Sequence, residues 1–336
     1  MNKKLLTWFI FLIIFSVSCK NKEATVSSFN GFAQGTTYSI VYVNNGRYSP
    51  VELREEVEKI LHSFDMSLSL YQDSSVLSRI NRNEEVIPDS FFIETFIKSK
   101  EVSLLTGGLF DVTVGPLVKA WGFGPDAQKN FTEQKRDSLL QLVGMSKVEM
   151  RDGKILKADP RISLDFNAIA QGYSVDVIAR YFNRLGITNY LVEIGGEVRV
   201  RGDKNGNRWR IGIDKPVDNN MIPGDNLQAV IELKDRALAT SGNYRKFYVE
   251  NGIKYSHTID PRTGYPARTQ LLSATIIADD CATADAVATA CMVMGKDKTI
   301  EFLDRHYEFE GFLVFSDDSG NFMTWMSESL RQYVSE

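Results

Sequence analysis

Two periodicities alternate along this chain, and that alternation limits what it can fold into. Short apolar runs bounded by turn residues stand between longer runs whose apolar residues recur three and four apart. Phe32 to Val43 reads as a first strand. Ser49-Pro50-Val51-Glu52 opens a helix, with Ser as cap, Pro at the first position and Glu reaching back. Leu53, Val57, Ile60, Leu61 and Phe64 then share one face. A second helix starts at Asp89 and stops at Gly107-Gly108, and a third covers Thr132 to Val143 ahead of Gly144. The clearest helix is Ala168 to Leu185, with an apolar face from Ile169 to Leu185 and Gly186 as its stop. Strands follow at Tyr190–Ile194, Val198–Arg201, Arg208–Ile213 and Ala229–Leu233, and Asn251-Gly252 marks a hairpin turn. Ser273 to Ala278 is a strand that feeds a helix from about Ala282 to Met294, and a last hairpin turns between Asp317 and Asn321. Strands joined by hairpins, with helices set between them, argue an α+β domain of mostly antiparallel sheet rather than a doubly wound parallel one. No G-x-G-x-x-G follows a strand and no Walker loop occurs, which argues against a Rossmann or P-loop nucleotide site.

The first nineteen residues stand apart. Lys3 and Lys4 form a short basic start, and Leu5 to Val17 is apolar apart from Thr7 and Ser16. The stretch is short for a membrane span and right for the apolar region of a signal peptide. It ends in Ser16-Val17-Ser18-Cys19, a small residue before a cysteine, as in bacterial lipoprotein signals. The reading is a signal peptide over 1–18, a lipidated Cys19 with a polar tether over 19–29, and a single catalytic domain over 30–336. The domain is then expected outside the cytoplasm, in the periplasm, anchored to a bacterial membrane by its lipid. An ordinary signal peptide with a chance cysteine is the competing reading, and Ser16 stands where such signals prefer Leu.

Of 336 residues, 43% are hydrophobic and 24% charged, the composition of a globular protein. The formal charge is −4, and loss of Lys3 and Lys4 with the leader leaves 37 basic against 43 acidic residues. That balance offers no electrostatic footprint for nucleic acid. Beyond Cys19 the chain has Cys281 and Cys291, ten residues apart in or near one helix. That is about 15 Å along the helix, too far to bridge, so both are expected as buried small apolar residues.

Four polar, glycine-rich clusters fall at element ends, where binding residues tend to lie. Gly107-Gly108-Leu109-Phe110-Asp111-Val112-Thr113-Val114-Gly115 runs on to Trp121-Gly122-Phe123-Gly124, and reads equally as a loop with an aromatic plug. Asp165-Phe166-Asn167-Ala168 precedes the clearest helix; its polar residues could simply cap it, or its free N–H groups could receive a phosphate. His257-Thr258-Ile259-Asp260-Pro261-Arg262-Thr263-Gly264 carries one of only three histidines, set close to a carboxylate. It is also a good turn sequence in its own right. Asp285 and Thr289 lie four apart among alanines, a poor solvated face that leaves room for something bulky. Oxygen ligands so sparse suit Mg²⁺ completed by substrate phosphates.

Taken in order, these clusters join Gln34-Gly35-Thr36-Thr37-Tyr38, Tyr71, Ser75-x-Leu77-Ser78-x-Ile80-Asn81, Glu193-Ile194-Gly195-Gly196-Glu197 and Thr240-Ser241-Gly242-x-Tyr244. The whole set, from about residue 30 to 330, resembles the ApbE family, the FAD:protein FMN transferases. The resemblance implies a single T-fold-related domain. It also implies an Mg²⁺-dependent enzyme that splits the pyrophosphate of its substrate FAD. FMN is joined through a phosphoester to a Thr or Ser of target extracytoplasmic flavoproteins, such as subunits of membrane redox complexes, and AMP leaves. By the same resemblance Gln34, Tyr71, Leu109, Phe110, Asp111, Asp165, Gln171, His257 and Ile259 line the FAD site. Asp285, Thr289 and the backbone carbonyl of Ala168 hold the metal, and His257 is the catalytic group that activates the acceptor hydroxyl. Two positions depart from the pattern: Gln34 stands where Met is frequent, and Gln171 where Lys is common. A metal-dependent FAD pyrophosphatase giving free FMN and AMP would use the same residues. A non-catalytic flavin-binding lipoprotein would be expected to lose Asp285, Thr289 or His257, and this chain keeps all three.

Overall fold

A computed structural model describes residues 25–123, 131–217, 224–243, 247–250 and 253–335. In it the expected first strand is two. β1, Thr25–Ala33, and β2, Thr36–Asn44, pair antiparallel from Thr25 opposite Asn44 to Ala33 opposite Thr36. Gln34 and Gly35 join them, both with positive φ (54° and 74°), as a two-residue hairpin of this twist requires. Residues 25–29, read above as tether, therefore belong to the sheet. Their polar character misled the reading because an edge strand leaves most of its side chains in solvent. Residues 1–24, with the leader and Cys19, lie outside the described residues.

Helix α1 is Pro50–Leu68, with Pro at its start and Leu53, Val57, Leu61 and Phe64 buried along one face. Short α2, Val76–Asn81, precedes α3, Ser90–Leu105, capped by Asp89 through the Phe92 N–H. Short α4, Gly115–Ala120, follows the glycine-rich cluster, and α5 covers Glu133–Leu140. α5 stops short of the expected Val143, because the chain tightens into three-residue turns in which Leu142 N–H donates to the Leu139 carbonyl and Val143 N–H to the Leu140 carbonyl. A small hairpin of β3, Val148–Arg151, and β4, Lys154–Lys157, leads to α6, Ala170–Arg184.

The remaining elements alternate as the sequence suggests. β5 is Tyr190–Ile194, β6 Glu197–Arg201, β7 Trp209–Asp214, β8 Leu227–Leu233 and β9 Ala237–Gly242. β10, Phe247–Glu250, and β11, Ile253–Ser256, pair antiparallel on either side of residues 251–252, so the Asn251-Gly252 turn itself lies outside the described residues. β12, Leu271–Ala278, feeds α7, Cys281–Met294, and α8, Lys296–Leu303. β13, Glu310–Ser316, turns through Asp317–Asn321 into β14, Phe322–Met326, and β15 is Val334–Ser335.

Eight strands form the main sheet in the order β1-β2-β5-β6-β9-β12-β13-β14, and each neighbouring pair is antiparallel. The fold is thus α+β with an antiparallel sheet, as expected. Both faces of its middle are covered. α6 and α7 pack on one face against β5, β6, β9 and β12. On the other, Val198, Val200, Leu238, Ile277, Phe312 and Val314 meet Trp209, Ile211, Ile213, Ala229 and Ile231 of a second sheet, β15-β8-β7. Burial on both faces explains why β12 reads as an almost unbroken apolar run.

Candidate active site

α6 and α7 meet at a glycine. A Cβ on Gly172 would lie 2.4 Å from the Cys281 carbonyl oxygen and 2.8 Å from Asp285 Cβ, far inside contact distance. Without one, the two backbones close up, and Gly172 N–H donates to Asp285 Oδ2 at 3.0 Å. In a helix continued backwards that N–H would serve the Ala168 carbonyl. Ala168 instead precedes the first turn, and the amide is spent on Asp285. The sequence thereby sets a carboxylate of α7 beside the N-terminal end of α6, where the helix dipole favours negative charge.

Asp285 is buried. Burial pushes its carboxyl up from the usual range to about 7, against the opposing pull of the Gly172 hydrogen bond. One turn on, Thr289 is half-buried, and its hydroxyl lies 3.1 Å from that of Ser241 at the end of β9. Among the described residues no three His, Cys, Asp or Glu side chains converge as a metal cage. A buried carboxylate among alanines with a hydroxyl one turn away nonetheless suits a hard divalent cation that takes its other ligands from backbone oxygens, water or phosphate. Such an ion would supply the positive charge that burial denies Asp285.

A second wall is built from amides and glycines. Gly195 (φ 66°) lies under Gln171, whose Nε2 occupies the place a Cβ would take, and Thr36 borders the same spot. Ser174 donates to Gln34 Oε1 at 3.2 Å and to the Gln171 carbonyl at 2.7 Å. Gln34 Nε2 is buried without a protein partner. The structure thus brings together Gln34 and Gln171, the two positions that depart from the family pattern.

The loop before α6 is fixed from two sides. Asn81 holds Leu164 by paired bonds of 2.8 and 2.9 Å, and Asp165 N–H donates to the Val112 carbonyl at 2.7 Å. Asp165 Oδ1 accepts from Asn167 N–H. Tyr71, two-thirds exposed, is close enough for the Asp165 charge, after desolvation, to raise its phenol. Gly115 passes so near that a Cβ there would sit 2.8 Å from the Ser163 carbonyl. Tyr71, Asp165 and the 108–115 loop therefore form one surface.

Several expected ligands hold the scaffold with their side chains. Asp111 accepts from Thr113 N–H, the Thr113 hydroxyl and Met145 N–H, while Thr113 Oγ1 accepts from Gly144 N–H. Burial raises the Asp111 carboxyl, and these bonds pull it back. Phe110 is core, and Ile259 is buried beside Leu117, Trp121 and Val143. Leu109 lines a small cavity with Met294, Phe302 and His306.

His257 is half-buried, with its ring edge-on to Phe123 at 6.4 Å and 68°. Asp260, the carboxylate expected beside it, binds Arg262 through Oδ1 and Oδ2 (3.0 and 2.8 Å) and accepts from the Arg262 amide. The turn from Asp260 to Tyr265 is closed by Gly264 N–H to the Asp260 carbonyl and Asp260 N–H to the Tyr265 carbonyl, both 2.8 Å. Asp260 thus shapes the loop that carries His257. Cys281 and Cys291 are buried free thiols, as expected. Ser241, Asn81 and Gly195 went unmarked as site residues, although each stands inside a quoted motif.

Known proteins carry the same architecture. Residues 34–313 match the model of the ApbE family. The FAD:protein FMN transferase of Vibrio cholerae is 35% identical over 323 residues, covering 94% of this chain and 95% of that protein. The enzyme of the same name from Haemophilus influenzae is 34% identical, covering 98% of each. The solved flavin transferase ApbE from Vibrio cholerae superposes with a TM-score of 0.82, over 92% of this chain and 99% of that one. The apo flavinyl transferase ApbE of Pseudomonas stutzeri gives 0.83 at 31% identity, over 92% and 97%. With residues 34–313 matching the family's model and two relatives 34–35% identical over nearly the whole chain, this chain belongs to the ApbE family.

Proposed function

We propose that this chain is an FAD:protein FMN transferase that requires Mg²⁺ and joins FMN by a phosphoester to a Thr or Ser of an extracytoplasmic protein, releasing AMP. The observation that carries the reading is Asp285, a buried carboxyl raised to about 7, tied by Gly172 N–H and set one turn from Thr289 at the open end of α6. Asp285, Thr289 and the Ala168 carbonyl would hold the ion. When bound, it neutralises charge on the FAD pyrophosphate and withdraws electrons from phosphorus.

The chain's own groups do the rest. Gly172 orients Asp285, and Ser241 orients Thr289. The N-terminal end of α6 turns the positive end of its dipole toward incoming negative charge. Gln34, Gln171 and the Asp165–Tyr71 surface position the dinucleotide, and Gln34 Nε2 has a donor to offer it. The acceptor hydroxyl attacks the phosphorus of the FMN half, and its proton passes to a ring nitrogen of His257. The P–O bond to the AMP half breaks, and AMP departs as an oxyanion. Cys19 lipidation would place this chemistry at a membrane surface outside the cytoplasm. No helix among the described residues is long and apolar enough to cross a bilayer.

The test is incubation with FAD, Mg²⁺ and a periplasmic extract, followed by flavin fluorescence of denatured proteins on a gel. A fluorescent band that needs both the enzyme and Mg²⁺ is expected. FMN found only free in solution would overturn transfer in favour of pyrophosphatase activity.

A further inference from the structure

Asp176 is a buried charge that the proposed chemistry leaves unused. It follows Gly172 by one helical turn, and so projects from the same face of α6 toward α7. Only 5% of its surface is exposed. Oδ1 accepts from Cys281 N–H at 3.0 Å and Oδ2 from Ala282 N–H at 2.9 Å. Arg199 of β6 forms the ion pair that makes this burial tolerable. Cys281 and Ala282 are the first two residues of α7, whose own cap, Asp280, serves Thr283 instead.

Cys281, Asp285 and Thr289 succeed one another at four-residue steps and form a single row along α7. The row is fixed at three points: Asp176 holds the Cys281 amide, Gly172 holds the Asp285 carboxylate, and Ser241 meets the Thr289 hydroxyl. Of these three, Asp176 alone grips the α7 backbone. Both its oxygens are engaged by consecutive amides, which fixes the rotation of α7 about its axis as well as its height against α6.

We propose that Asp176, itself held by Arg199, is a positioning residue that sets the register of α7 and thereby places Asp285 and Thr289 opposite the Ala168 carbonyl. The inference rests on the reading of those three groups as metal ligands. A purely structural Asp176 would affect how firmly the domain folds. A positioning Asp176 also affects how tightly and how selectively the cation is held. Mg²⁺ demands near-ideal octahedral geometry, whereas Ca²⁺ accepts irregular arrangements. A small misregister should therefore cost Mg²⁺ more than Ca²⁺.

The experiment measures FAD binding by flavin fluorescence, without acceptor protein, as Mg²⁺ or Ca²⁺ is added to the parent, Asp176→Asn, Arg199→Lys and Asp285→Asn, well below each melting temperature. Asp176→Asn is expected to need roughly tenfold more Mg²⁺ for half-maximal binding, the scale of losses seen when partners of metal ligands are removed. Its half-maximal Ca²⁺ concentration should shift less. Arg199→Lys should move in the same direction, and it decides the matter if Asp176→Asn does not fold. Parental Mg²⁺ dependence in the folded variants overturns the inference. If Asp285→Asn also keeps the parental dependence, the metal reading itself falls. If Asp285→Asn alone loses it, only the role of Asp176 does.

Discussion

Gly172 and Asp285 are joined by a 3.0 Å hydrogen bond across the closest approach of α6 and α7. The bond forms where a side chain at 172 would strike the Cys281 carbonyl, so the two backbones can close to this distance only over a glycine.

Gly172→Ala is therefore expected to destabilise the domain by about 1–3 kcal/mol, the usual cost of forcing atoms into a filled space. Urea denaturation measures it. Because the helices must part to admit the methyl group, Mg²⁺-dependent transfer should fall as well, even at temperatures where the variant is fully folded.

The raised Asp285 carboxyl makes a prediction about pH. Its value in the folded protein, about 7, lies above the ordinary 3.8, so the folded state holds this proton more tightly than the unfolded chain. In metal-free protein the group's contribution to stability is complete below about pH 4 and fades as pH rises through about 7. Calorimetric melting of metal-free protein across that window should show a decline that Asp285→Asn removes. With Asp285 as the proposed Mg²⁺ ligand, the Mg²⁺ concentration for half-maximal transfer should rise as pH falls below 7, since proton and ion would compete for one carboxylate.

His257→Ala should lower transfer at saturating FAD by the 10²–10⁴-fold, roughly, that a general base contributes. FAD binding should change far less. Single-turnover transfer to an acceptor protein, set beside a fluorescence titration of FAD, separates the two. Transfer close to that of the parent would remove His257 from the chemistry.

Cys19→Ala should release the protein from the membrane fraction or block its processing. Fractionation followed by intact-mass analysis distinguishes these outcomes from unchanged attachment, which would refute lipidation.

The helices that carry the site were legible because their signals are local. Gly186 stops α6 close to where the sequence says, and the alanines of α7 mark a face that must pack tightly. β9 was missed because Ala237-Leu238-Ala239-Thr240-Ser241-Gly242 lacks the alternation of a half-exposed strand; it is covered on both faces. The β1–β2 turn was missed because Gln-Gly is a weak turn signal, and Gln34 occupies a left-handed conformation that the pairing of the strands imposes. Within the site, sequence marks which residues matter and says little about how. Asp111 is polar and stands in a glycine-rich motif, yet its second oxygen is taken by the Met145 amide, 34 residues away, which the local sequence does not reveal. Asp260 stands in the His257 motif, and the structure adds what the sequence does not say, that both its oxygens bind Arg262. Asp176 carried one visible clue: an acid one turn from a glycine on a helix otherwise apolar there.

The two thiols of α7 have a use of their own. Cys281 and Cys291 are wholly buried, and burial pushes both thiols up, Cys291 to about 12. Neither reacts readily while α7 is packed, because the thiolate is the reactive form. Each becomes available only when the helix leaves the sheet. The rate at which a thiol reagent marks them is thus an internal clock for the opening of α7, readable without introducing a cysteine and able to show how much a bound nucleotide slows it.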